Sequence, residues 1–176
     1  MKISNASFLG VGIKPVFDGE YYPTIIQLIR SADHQCYCSI FIIDHNLKND
    51  ADLLVDQILI ELANAKWRGV DVKLLIGGSR DNAQIRKTAI LAAERAKKLA
   101  LDYRLASASK NNSNHSKLVI VDNYVLTGSH NWSRGMFGEE TQDSVLLENG
   151  ALAVALTQYF TENWNKSEQH EYDVSL

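Results

Sequence analysis

Cys36-Tyr-Cys-Ser-Ile-Phe-Ile-Ile43 is an unbroken apolar run rich in β-branched side chains, the pattern of a central strand buried on both faces. Downstream, Asp50 or Asp52 caps an amphipathic helix whose stripe is Leu54, Ile58, Leu62 and Ala65, and Gly69 closes it. Val70-Asp-Val-Lys-Leu-Leu-Ile76 follows as a second strand. A long helix is then predicted over Asn82 to Ala100, where Ile85, Ala89, Ala92, Ala93 and Ala96 recur at three- and four-residue intervals. Asp102 to Leu105 reads as a short strand and Lys110 to Asn114 as a polar loop. Upstream, Tyr22 to Ala32 has helical spacing with Pro23 in the first turn, and Phe8 to Phe17 is extended. Beyond residue 114, His115 to Thr127 reads as two short strands joined at Asp122-Asn-Tyr124, Ser144 to Leu147 as one more strand and Ala151 to Trp164 as a closing helix. This alternation argues for an α/β layer structure rather than a bundle or a sandwich.

The chain has 176 residues, 45% hydrophobic and 22% charged, with two cysteines and a formal charge of −3. That size supports a core without metal or disulfide, and with no linker or repeat the expectation is a single domain over 1–176. Cys36 and Cys38 sit two apart in one strand, cannot easily bridge, and read as a reduced, partly buried pair. No run suits a membrane span or a signal core. Together these give the expectation of a cytoplasmic protein without stable membrane insertion.

The chemistry concentrates in His115-Ser-Lys-Leu-Val-Ile-Val-Asp-Asn-Tyr-Val-Leu-Thr-Gly-Ser-His-Asn-Trp-Ser133. Strand alternation sets His115 with Lys117, and Ser129 with Asn131. If Val121 pairs with Val125, Lys117 falls opposite Ser129 and His115 opposite Asn131, while Leu118 and Ile120 turn into the core. An imidazole, an ammonium, a hydroxyl and a carboxamide in one patch suit an anionic tetrahedral group. Histidine can attack or donate a proton near neutral pH, while Lys117 and Asn131 donate to oxygens that gather charge. A phosphodiester is the substrate class that follows.

These residues resemble the signature of the phospholipase D superfamily: His-x-Lys, four residues, Asp, about six residues, Gly-Ser-x-Asn, here His115, Lys117, Asp122, Gly128, Ser129 and Asn131. Five residues rather than six separate Asp122 from Gly128, so Asp122 reads as structural. The resemblance implies a phospholipase D-like α/β fold, a mixed β-sheet flanked by helices on both faces. It further implies a phosphodiesterase that works through a phosphohistidine, without metal or other cofactor. Only one copy of the motif is present, as in the small endonucleases and the Zucchini-like group. The implied partner is a second copy, a homodimer in which His115 and Lys117 of both chains share one site. In such relatives a glutamate downstream orients the histidine. Its place here falls on Gln142, beside Asp143.

Other signals are weaker. His130 turns away from the patch by alternation, while His34, His45 and His170 read as solvent-facing or loop residues. Asp44 ends the central strand near the site. From Arg80 to Lys110 eight basic residues face three acids, and from Glu139 to Leu176 eight acids face one lysine. The first segment is either a solvated helix face or a track for a polyanion. On the second reading Lys110, Arg104, Trp132 and Arg134 bind nucleic acid, DNA or RNA, although Trp132 can equally pack beneath its loop. The favoured function is a nuclease. A lipid phosphodiesterase and a catalytically weak binding member of the fold remain the alternatives.

Overall fold

The computed structural model describes residues 7–45, 53–79, 82–106 and 114–167. The apolar run around Cys36 forms strand β2 (Gln35–Ile40), with β3 (Asp71–Ile76) and β4 (Asp102–Leu105) parallel to it on one side. On its other side lie β5 (Lys117–Val121), β6 (Tyr124–Gly128), β7 (Asp143–Glu148) and the edge strand β1 (Gly12–Phe17), each antiparallel to its neighbour. The seven strands make one mixed sheet in the order β1-β7-β6-β5-β2-β3-β4. The extended segment at the start is thus a strand only from Gly12.

Four helices cover the sheet: α1 (Tyr21–Arg30), α2 (Leu53–Trp67), α3 (Ala83–Lys98) and α4 (Gly150–Asn165). Cys36, Cys38, Ile40, Val119 and Val121 enter the larger core with the apolar faces of α1, α2 and α3. Tyr37, Leu118, Ile120 and Val125 enter a second core with Ala153, Phe160 and Trp164 of α4. Burial on both faces explains why β2 and β5 read as continuous apolar runs rather than alternating ones. The cysteines are free and buried.

Helix ends follow local chemistry. Asn82 caps α3 by accepting from the backbone N–H groups of Gln84 and Ile85, and Asn149 caps α4 by accepting from that of Leu152. Gly69, at φ +95°, closes the chain behind α2 in a conformation that favours glycine. Asp50 and Asp52, the expected caps of α2, lie outside the described residues.

The β5–β6 hairpin is one residue tighter than expected: Val121 pairs with Tyr124 and Ile120 with Val125. Asp122 enables this by adopting φ 49°, a left-handed conformation that aspartate tolerates better than most residues. Continued one step, the register sets Lys117 opposite Gly128 rather than Ser129. The missing residue between Asp122 and Gly128 is absorbed in the turn, at the cost of the expected cross-strand pairs.

Candidate active site

All three parallel strands point their carboxyl ends to one rim of the sheet, and β5 begins and β6 ends at that same rim. This is where α/β sheets commonly place ligands. Past β6 the chain crosses to β2: the Trp132 N–H donates to the Ile42 carbonyl (2.9 Å), and the Asp44 N–H donates to the Trp132 carbonyl (2.8 Å). That crossing carries Asn131 past the start of β5. Asn131 is buried, and its Oδ1 accepts from the Ile42 N–H at 3.2 Å, leaving the amide NH₂ as its donor end.

His115 and Lys117 lie at the same rim, where the chain enters β5. The Lys117 ammonium donates to His115 Nδ1 (3.0 Å) and to the His115 carbonyl (2.9 Å). An ammonium only donates, so Nδ1 accepts and the neutral ring carries its proton on Nε2. Burial, then the positive charge of Lys117, push the His115 pKa below its ordinary value. Burial alone lowers that of Lys117. The result is a neutral imidazole next to an ammonium, able to attack phosphorus and to neutralise the charge that follows.

Upstream of His115, Asn114 donates from Nδ2 to Ser39 Oγ (3.0 Å) and accepts at Oδ1 from the Ser116 N–H (3.0 Å), tying the approach to the motif onto β2.

Ser129 belongs to an adjoining cluster. Its Oγ accepts from the Asp143 N–H at 3.0 Å and donates to Gln142 Oε1 at 2.6 Å. Gln142 is held in turn by its backbone N–H on Asp18 Oδ1 (2.7 Å). Gln142, expected to orient His115, therefore serves Ser129, and among the described residues no hydrogen bond joins it to His115. Gly128 precedes Ser129 because a Cβ there would overlap the Asp143 carbonyl oxygen and Ser144; this close approach of β7 leaves room only for glycine.

Asp122 lies at the far end of β5, about 17 Å along the strand from Lys117. Its carboxylate accepts from the backbone N–H groups of Asp33 (2.9 Å), His34 (3.0 Å) and Gln35 (2.9 Å). Its place is structural.

Two of the expected substrate-binding residues are engaged elsewhere. Trp132 is fully buried, with Nε1 donating to the Tyr21 hydroxyl at 3.2 Å, so it cannot stack on a base. Arg104 donates to the Trp164 carbonyl (2.8 Å) and lies over the Trp164 ring, closing the end of α4. Arg134 is exposed and paired with Glu139 (2.8 Å). Lys110 lies outside the described residues. The basic segment is also divided: Arg95 grips Asp56 (2.6 Å), and Lys97 and Lys98 end α3 just before β4 begins, at the rim away from His115.

Sequence reading missed two things. Phe41 packs its ring 4.1 Å from that of His115, between centroids. His45, expected as a solvent-facing or loop residue, lies outside any helix or strand but is buried, with Nε2 2.9 Å from Asp56 Oδ1. His130, expected to turn away from the patch, is fully buried, stacked on Tyr21 and bonded to Ser144 Oγ (2.8 Å) and the Asp18 carbonyl (3.1 Å).

Residues 25–164 match the family described as "Cardiolipin synthase, PLD-like domain". The chain belongs to the phospholipase D superfamily. Membership places it in a superfamily of phosphodiesterases. Its fold is similar to that of Nuc from Salmonella typhimurium, a phospholipase D family member, at 23% identity and a TM-score of 0.74, covering 92% of this chain and 99% of that one. NucT from Helicobacter pylori is similar at 15% identity and a TM-score of 0.65, covering 91% and 99%. Phosphatidylserine synthase from Haemophilus influenzae, at 13% identity and a TM-score of 0.65, is covered over 40% of its length by 91% of this chain. No curated protein matches the sequence. None of the described helices of this phospholipase D superfamily member is long and apolar enough to cross a membrane.

Proposed function

We propose that the protein is a metal-independent phosphodiesterase that cleaves nucleic acid, with its site completed by a second copy of the chain. The observation that carries this reading is the neutral His115 held against Lys117 at the rim where Asn131 crosses, in a chain with one such motif. A neutral imidazole nitrogen attacks phosphorus and forms an N–P bond as the P–O bond to the leaving group breaks. The departing oxygen takes its proton from His115 of the second copy in the imidazolium form that the bound anionic phosphate favours, and the neutral ring that results then draws a proton from water as that water's oxygen attacks phosphorus and releases the first histidine. Lys117 and Asn131 donate to the phosphoryl oxygens throughout.

Attack through Nε2 requires the proton on Nδ1, so the Lys117–Nδ1 bond must give way when substrate arrives. The incoming anion supplies the competing partner, since a phosphoryl oxygen attracts the ammonium more strongly than a neutral ring does. The fold likeness to Nuc, at a TM-score of 0.74 against 0.65 for phosphatidylserine synthase, supports the nuclease reading over a lipid one.

The test is incubation with single-stranded DNA, duplex DNA, RNA and anionic phospholipid vesicles, each in EDTA, beside His115→Ala. Nucleic acid should be cut in EDTA and left intact by the variant. Loss of cleavage in EDTA overturns metal independence, cleavage by the variant overturns the site, and turnover of lipid alone overturns the substrate class.

A further inference from the structure

Phe41 follows β2 directly and is buried, only 8% exposed. Among the described residues its ring has two polar partners, both from the motif. One is the His115 imidazole, with centroids 4.1 Å apart and planes inclined by 37°. The other is the Lys117 ammonium, 5.0 Å from the ring centroid, within range of a cation–π attraction. We propose that Phe41 is a positioning residue for His115 and Lys117, a fixed aromatic platform that holds the imidazole and the ammonium of the phosphodiesterase site in one mutual orientation.

The platform's backbone is fixed from two sides. The Phe41 N–H donates to the Ser116 carbonyl at 2.8 Å, and the Gly77 N–H at the end of β3 donates to the Ile40 carbonyl at 2.7 Å. Gly77 has no room for a side chain: a Cβ there would lie 2.5 Å from Phe41 Cα and 2.7 Å from the Phe41 oxygen. The next residue, Ile42, holds Asn131. Thus one short segment seats all three groups assigned to the phosphoryl oxygens and the attacking nitrogen.

The ring does two things to His115. It limits rotation of the imidazole, which keeps the attacking nitrogen in line and is worth most in the chemical step. It also forms one wall against water, and burial is the larger of the two causes that keep His115 neutral; Lys117 is the other and, among the described residues, the charged group that faces it. Removing the ring should loosen the imidazole and rehydrate it.

This inference rests on the phosphodiesterase reading, and the experiment separates the two. Phe41→Leu keeps apolar bulk without a π face, while Phe41→Tyr keeps the ring. In Phe41→Leu we expect kcat to fall about tenfold with KM changed less than about twofold, and the NMR titration midpoint of His115 to move upward. Phe41→Tyr should restore both towards wild type. A folded Phe41→Leu protein, checked by thermal unfolding, whose His115 titration and kcat match wild type overturns the platform. So does a kcat loss that Phe41→Tyr shares in full. Absence of any phosphodiesterase activity in the wild-type protein refutes the reaction instead, because the titration reads the platform without substrate.

Discussion

Asp122 shows how one residue of the motif can serve the fold from a place far from the chemistry. Burial disfavours its charge, but the backbone donors at residues 33–35 outweigh that and hold its pKa below the ordinary aspartate value. Those three N–H groups lie on the passage from α1 into β2, whose first residue is Gln35, so Asp122 fixes the start of the central strand from the turn of a distant hairpin. Asp122→Ala should cost about 3 kcal/mol in urea unfolding, from lost charge-assisted bonds and from alanine's poorer fit to a positive φ. The same group sets a pH dependence. Its folded pKa is depressed, so its contribution is fully present above the unfolded value of about 3.9 and is lost as pH falls through the folded value. The acid limb of wild-type stability should flatten in Asp122→Ala when urea midpoints are compared below about pH 5.

The segment after β2 is the element on which the site depends, and it was only half legible. Its apolar pattern revealed a buried central strand, because period and β-branching report burial. That pattern could not show that Phe41 turns to His115 rather than to the core, since a phenylalanine in an apolar run looks alike in either place. His45 was hidden for a related reason: its partner Asp56 comes from α2, 11 residues away, and Asp56 is held in turn by Arg95 of α3, 39 residues further on, and no local spacing marks them. The hairpin register was misjudged because a single residue's willingness to adopt positive φ decided it. His115, Lys117 and Asn131 were legible because their chemistry is packed into one short stretch. The Asp56 network carries its own prediction. Burial opposes the charge of Asp56, but Arg95 and His45 outweigh it and lower its pKa. Asp56→Ala leaves a guanidinium and an imidazole without their acceptor beneath the segment that carries Asp44, and should lower unfolding stability by about 3 kcal/mol. Arg95→Met, which removes the partly buried cation while keeping bulk, should cost less, and a urea series of both variants checks the order.

At the scale of the whole molecule, one motif in one sheet offers one imidazole, and the proposed reaction needs a second to protonate the leaving oxygen. Charge does not settle how two chains meet, because the basic residues are spread over α3 and partly spent on internal partners. Composition therefore gives little guidance, and stoichiometry gives more. If His115 of two copies serves one phosphate, a dimer with one His115→Ala chain lacks either the nucleophile or the acid and loses most of its turnover. Wild-type protein exchanged with a ninefold excess of His115→Ala should then retain about a tenth of its activity per wild-type chain, since random pairing leaves about one wild-type chain in ten with a wild-type partner. Independent sites would leave activity per wild-type chain unchanged at every ratio. Sedimentation at the assay concentration fixes whether chains are paired, and denaturation followed by joint refolding guarantees exchange. A linear response from fully exchanged, paired chains would mean that each subunit supplies its own acid, and the search for that group would return to the Ser129–Gln142–Asp143 cluster beside His115.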